Sequence, residues 1–282
     1  MSRGLLPALF AVSLLCTGCS GRAADAVGAR PAAPAAIAPA VTAPESVKIL
    51  NDFATAFSQA TDARAVRATV GGPLADVAVA QFKLAHGKAT RISLVNPVMY
   101  VPRLAGYPKW FAAAALQEHP GGGAGTEVVL LFAQGAAGDP WRPVHRLPFS
   151  GRPPEIATDG QGYAIPVGGD LRIPGLHTGF LNGTTAPGFT PDAFSRTARS
   201  NGAFTDAGFA SYGLQTKDGG ALVWYTLRQT QRFTGTPPQT VQAYLGRTTA
   251  TEATLIWQTI GYLPAKGSAA VLGESITVTQ AR

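Results

Sequence analysis

Cysteine is nearly missing from this chain: there are two in 282 residues, Cys16 and Cys19, both within the first twenty. Everything after them lacks a thiol to cross-link, bind a metal or act as a nucleophile, so stability has to come from a packed core rather than from disulfides. Charge is also sparse, at 14% of residues, and no dense block of one sign occurs. Long acidic or basic interaction tails are therefore excluded. No uninterrupted apolar run reaches the ~20 residues that span a bilayer as a helix. The common catalytic signatures are missing too: there is no G-x-S-x-G elbow, H-E-x-x-H helix, S-x-x-K pair or phosphate-binding loop. The four histidines, His86, His119, His145 and His177, lie far apart, with no ligand spacing among them, and no cofactor is expected.

What is present at the start is an export signal. Arg3, an apolar stretch from Leu5 to Leu15 and the small residues Thr17 and Gly18 lead to Cys19. This is the pattern of a bacterial lipoprotein signal, cut before a cysteine that then carries the lipid. Cys16-x-x-Cys19 also matches a redox or zinc pair, but no second cysteine pair or nearby histidine supports it. Residues 1–18 are read as the signal, and 19–44 as a lipidated Cys19 followed by a tether. Between Ser20 and Pro44 the chain is mostly Ala, Pro, Gly and Val, with Pro31, Pro34, Pro39 and Pro44 stiffening it. Such a segment spans ~75 Å extended or ~30 Å as a coil. The expected address is the outer face of the cytoplasmic membrane, or the outer membrane in a Gram-negative cell. The membrane is then a partner through the anchor.

Beyond the tether the pattern is α+β. Glu45 to Ala60 places Val47, Leu50, Phe53, Ala54 and Phe57 at helical spacing. Thr61-Asp62 caps a further short helix, and Pro73 and Gly87 bracket another over Leu74 to His86. Strands are expected at Arg91–Val101, Trp110–Gln117, Thr126–Gln134 and Trp141–Leu147. A Gly/Pro-rich stretch from Arg152 to Pro191 holds one short strand at Tyr163–Val167. A short helix capped by Thr190 is expected over Pro191–Ser200. Further strands are expected at Ala210–Thr216, Ala221–Arg232, Thr254–Leu263 and Ala270–Thr279. Asp218-Gly219 is a hairpin turn, because such positions favour φ > 0. The reading is two sheet-containing halves, 45–150 and 151–282, of one extracellular domain, with helices on antiparallel sheet and duplication of one unit left open.

Several stretches carry a resemblance. Gly106 to Phe111, Phe132 with Asp139-Pro140-Trp141-Arg142, Ala157 through Val167, and Thr216 to Val223 resemble recurring stretches of actinobacterial lipoproteins that carry a large extracellular domain of unknown function. The likeness covers nearly everything after the tether. It implies location and fold, and supplies no activity or catalytic residues.

The net charge of +7 suits anionic lipid or wall polymers, but its cations are scattered and no nucleic-acid motif appears. Trp110, Trp141, Trp224 and Trp257 lie on expected strands, where adjacent residues face opposite sides. They are the ligand-binding candidates if one face stays open. The expected role is a non-catalytic binding or assembly module of the cell envelope, with a protein, glycan or lipid as partner. Two alternatives stand beside it. One is a wall- or lipid-polymer hydrolase running on paired carboxylates, Glu118 and Glu127 being the pair without a turn role. The other is a purely structural lipoprotein.

Overall fold

The computed structural model describes residues 37–119, 122, 124–149, 153–168 and 171–282. The signal, Cys19 and most of the tether lie outside the described residues. Residues 37–282 form one compact unit.

Three helices come first. α1 (Ala43–Ser58) starts at Thr42, whose hydroxyl accepts from the Glu45 N–H, with Pro44 in the first turn. It buries Leu50, Phe53 and Phe57, one stripe of the surface. α2 (Ala63–Thr69) is capped by Asp62, which accepts from the Ala65 N–H at 2.8 Å. α3 (Gly72–Leu84) carries Pro73 in its first turn and buries Leu74, Val77 and Ala78. The chain enters the body earlier than the boundary at 44. Ala40 N donates to Pro102 O at 2.9 Å, Pro39 bridges to Arg103, and Ala40 and Val41 are buried. An apolar Ala-Val pair beside an unpaired stretch of backbone gains more from docking than from extending into water.

The first sheet is an antiparallel meander, in the order β1 (Ser93–Tyr100), β2 (Lys109–Glu118), β3 (Thr126–Gln134) and β4 (Arg142–Pro148). Its two faces have separate partners. Phe111, Ala113, Leu130 and Phe132 pack with the helices, while Trp110, Ala112, Val129 and Leu131 pack toward the second sheet. Both faces are covered, so β3 reads as a continuous apolar run rather than an alternation.

The second half runs α4 (Ile173–Leu181), β5 (Phe189–Thr190), α5 (Ala193–Ala198), β6 (Ala203–Asp206), β7 (Tyr212–Gln215), β8 (Ala221–Arg232), α6 (Gln239–Leu245), β9 (Glu252–Leu263) and β10 (Ala269–Ala281). Strand order is β5-β10-β9-β8-β6, with β7 also on β8, and β5 is the parallel member. Leu222, Trp224 and Ile260 face the first sheet. Tyr225, Leu227 and Trp257 face the opposite side, where Ile173 and Leu181 of α4 and Val241 of α6 cover them. The α+β class and the two sheet-bearing halves are as the sequence indicates.

Three local readings are corrected. Tyr163–Val167 makes only isolated bridges, Ala164 to Thr158 and Pro102, and Pro166 to Leu214, because Pro166 has no N–H for a ladder. Helix α5 is capped by Asp192, not Thr190. The Gly/Pro-rich stretch also contains α4, which the sequence reading left out. The second sheet interrupts its meander with α6 and adds a parallel strand, so its topology differs from that of the first.

Among the described residues a side chain stitches the sheets together. Gln258 on β9 donates to Val144 O at 3.1 Å and accepts from the Arg146 N–H at 3.4 Å. Its amide thus pairs with the outer backbone of β4, satisfying an edge that would otherwise be open.

Candidate functional site

The space between the two sheets closes incompletely at one end, and sequence explains why. Strand β2 carries four consecutive alanines, Ala112–Ala115, where strands of this kind usually carry Val, Ile or Leu. The small side chain at Ala114, on the inter-sheet face, leaves a cavity of about 370 Å³ between β1, β2, β3 and β8. Its walls are mainly apolar: Val98, Leu116, Val129, Leu222 and the face of Trp224. Phe149, Pro153, Pro154 and Ile156, from the chain that follows β4, close one side.

The mouth lies at the edge strand β1. Pairing of β1 with β2 shifts register between Val95 and Val98, and Asn96 takes a left-handed conformation at φ 52°. Asparagine tolerates that region, and Pro97 beside it has no N–H to leave unpaired. The bulge turns Val98 outward, 52% exposed, against the cavity. Asn96 and Glu127 are exposed on the rim.

Two of the lining residues, Trp224 and Tyr100, carry hydrogen-bond donors. Trp224 is 1% exposed, and its Nε1–H has no partner among the described residues. Tyr100 is half-buried, burial pushes its phenol above the usual range, and its hydroxyl bonds to no described residue. Deeper in the inter-sheet layer His145 has both ring nitrogens unpartnered, and Thr226 Oγ1 is unpartnered as well. Burial drives His145 down to about 3, so it is neutral at ordinary pH.

The other tryptophans are accounted for by packing. Trp110 is buried against Tyr212, with ring centroids 5.4 Å apart. Trp257 is buried, and its Nε1–H donates to Gln229 Oε1 at 2.9 Å. Trp141 is half-buried beside Phe111. An open sheet face carrying tryptophan is thus absent among the described residues, because each of these strands is covered on both sides. Trp224 alone of the four lines the cavity.

The carboxylates do not assemble. The β2–β3 register puts Glu118 and Glu127 diagonally on one face, but both are exposed and Glu118 accepts from Ser93 Oγ at 2.6 Å. Asp159 serves its turn, accepting from the Gln161 and Tyr163 N–H groups and from Arg103. These bonds hold its carboxyl below the usual range. Asp218 likewise serves the hairpin, accepting from Thr216 Oγ1 and the Tyr262 hydroxyl.

A histidine–serine contact, invisible at sequence level, occurs elsewhere. His177 Nε2 lies 2.9 Å from Ser195 Oγ, and its Nδ1 lies 2.9 Å from the Tyr225 hydroxyl. All three are buried, so no substrate reaches the serine. The third member is a phenol and not a carboxylate, and burial lowers His177 to about 4. This is an internal polar clamp between α4, α5 and β8. Glu274 nearby is raised to about 8 by burial and by the Asp192 carboxylate. Among the described residues no cluster of His, Cys, Asp and Glu is arranged to hold a metal.

Fold and site together define an α+β protein of two stacked sheets with an apolar, ligand-sized cavity between them. The chain belongs to the family described as "Domain of unknown function (DUF8094)", whose model matches residues 37–184 and 190–282. Its relatives include an uncharacterized lipoprotein of Streptomyces coelicolor, 26% identical over 240 residues that cover 70% of each chain. A second from that organism is 28% identical over 284 residues, covering 82% of this chain and 78% of the relative. An uncharacterized lipoprotein of Streptomyces avermitilis is 26% identical over 238 residues, covering 70% and 69%. The resemblance to actinobacterial lipoproteins of unknown function therefore holds. No solved structure matches the chain.

Tyr100, Ala114 and the Asn96-Pro97 bulge are the site residues that sequence reasoning missed. A signal existed: a tetra-alanine run in the middle of a strand bounded by Trp-Phe and Leu-Gln, too small to fill the space its neighbours define.

Proposed function

We propose that this protein is a lipoprotein of the cell envelope, held to the outer face of the membrane through lipid on Cys19, whose body binds a small apolar molecule between its two sheets without transforming it. The observation that carries this reading is the cavity of about 370 Å³ with mainly apolar walls between the two sheets. Ligand sites are concave and mostly apolar, with few convergent polar groups, and volumes of roughly 300–1,000 Å³ are usual. A glycan would demand many more hydrogen-bonding groups than these walls present. The export signal, the lipoprotein relatives and the net charge of +7 support a position beside anionic membrane, where such a ligand is at hand.

The test uses the purified protein and the neutral fluorescent probe N-phenyl-1-naphthylamine. Saturable one-to-one binding is expected. Ala114→Phe, which fills the cavity with a ring, should weaken binding at least tenfold while the circular dichroism spectrum stays unchanged. Binding that is absent in the parent protein, or equal in a folded Ala114→Phe protein, overturns the reading. Turnover of a wall or lipid polymer abolished by Glu118→Gln or Glu127→Gln would replace it with the hydrolase.

A further inference from the structure

Resting on the lipid anchor in that reading, we infer that the body sits on the membrane surface that holds Cys19, docked through the exposed β1–β2 loop from Ala105 to Pro108, the adjoining Ile37 and the rim cation Lys109. Ile37 and Ala38, where the described body begins, are exposed and lie against the start of this loop. Leu104 N donates to Ala38 O at 3.3 Å, and the Arg103 guanidinium donates to Ile37 O at 2.7 Å. Arg103 is itself held by Asp159, 2.8 Å away, and lies over the Tyr163 ring. The loop and the place where the tether enters the body are thus fixed to one another.

What this surface presents is mainly apolar. Ile37 is 50% exposed and Tyr107 45%, and Ala105, Gly106 and Pro108 are exposed with them. Leu104 packs against the apolar clusters on both faces of the first sheet, so it anchors the loop while its neighbours face solvent. Lys109 Nζ lies 5.8 Å from the centre of the Tyr107 ring. Tyrosine and lysine suit the headgroup level of a bilayer, because each has an apolar body and a polar tip. Exposed apolar residues rimmed by polar ones mark contacts with protein or with membrane, and two features choose the membrane. The patch is a handful of residues, whereas a stable protein interface takes about 20–30 from each side. The tether also leaves from it. A segment as long as residues 19–36 spans ~23 Å as a coil and ~55 Å fully extended, so the end of the body that carries the loop is the end nearest the lipid. A link that short gives the loop a high effective concentration at the bilayer, and a shallow contact then suffices. Asp159 is already paired with Arg103, which leaves Lys109 to meet anionic headgroups.

The experiment uses the lipidated full-length protein in vesicles of phosphatidylcholine and phosphatidylglycerol, with a nitrobenzoxadiazole fluorophore on an introduced thiol. Lipid on Cys19 and loss of Cys16 with the signal leave that thiol alone to react. Gly106→Cys labels the loop, and nothing lies within 4 Å of a Cβ added there. Glu118→Cys labels the far end of β2, roughly 30 Å along the strand. Phosphatidylcholine brominated near the headgroup should quench the loop label by about twofold or more and leave the label at the far end of β2 almost unchanged. Adding Ala105→Asp and Tyr107→Ser to the Gly106→Cys protein should abolish that quenching, while the protein still floats with the vesicles and keeps its circular dichroism spectrum. A loop label that stays unquenched on floating protein would overturn the docking. So would equal quenching at both positions, or quenching that survives the two added substitutions. Protein that carries no lipid and does not float would instead sink the anchor reading, and the docking with it.

Discussion

Single residues decide where this backbone is allowed to come close to itself. Gly219 sits in the β7–β8 turn at φ +83°, with open space around a added Cβ apart from Ala265 at 3.6 Å. Its requirement is conformational rather than steric. Gly219→Val should cost about 1–2 kcal/mol through strain alone, read as a lower denaturant midpoint with unchanged slope. Gly220 next to it is different: a Cβ there would lie 2.5 Å from Leu263 O. Backbone cannot yield as a side-chain tip does, so Gly220→Ala should cost more than a typical surface change, about 1–3 kcal/mol. The Asp218-Gly219 turn was legible because its chemistry is local. The role of Trp224 was not. All four tryptophans look alike in a strand pattern, and only the opposing sheet decides which one meets a void.

At the scale of elements, legibility followed length and neighbours. α1, α3 and the long strands were readable because each repeats its apolar period several times. Strand β3, Thr126–Gln134, needed no correction at all. Helix α4 was hidden by Pro174, Gly175 and Gly179, poor helix formers inside a Gly/Pro-rich stretch. Yet its anchors Ile173, His177 and Leu181 recur every four residues and are all buried, so tertiary packing overrides propensity here. α6 follows Pro237-Pro238 and holds on through Val241. The β1 bulge is the element that opens the site. Replacing Asn96 by Thr together with Pro97 by Val should favour regular pairing and narrow the mouth. The association rate of N-phenyl-1-naphthylamine should fall severalfold in stopped-flow fluorescence while thermal stability is kept or raised. A faster rate would mean that entry lies elsewhere.

Across the whole molecule, buried titratable groups set how stability responds to pH. His145 and His177 are held near 3 and 4 against an ordinary value of about 6.5. Below about pH 6.5 the unfolded chain takes up protons that the folded one refuses, so stability falls as pH drops from there. Glu274 works in the opposite direction. Its folded value of about 8 lies above the ordinary 4.5. Between those values the folded state keeps a proton the unfolded chain has lost, and stability falls as pH rises toward 8. Two histidines outweigh one glutamate between pH 4.5 and 6.5, so the maximum should fall near pH 6.5. Glu274→Gln should flatten the alkaline side, and denaturant midpoints measured from pH 4 to 9 check both slopes. The two halves were legible as α+β from sequence. Their shared core was not, because Ile256 joining the helices of the first half and Trp224 meeting the face of β3 are pairings across long stretches of chain.

The account turns on whether the inter-sheet cavity carries an apolar molecule in the protein as the cell makes it. Native mass spectrometry of the full chain, extracted from its own membranes in mild detergent, tests this directly. The predicted spectrum shows the protein, beginning at Cys19 with a diacylglycerol mass, together with a one-to-one adduct of a small apolar molecule. That adduct should disappear from Ala114→Phe. A parent protein that emerges without any adduct, or an Ala114→Phe protein that keeps the same one, would contradict it.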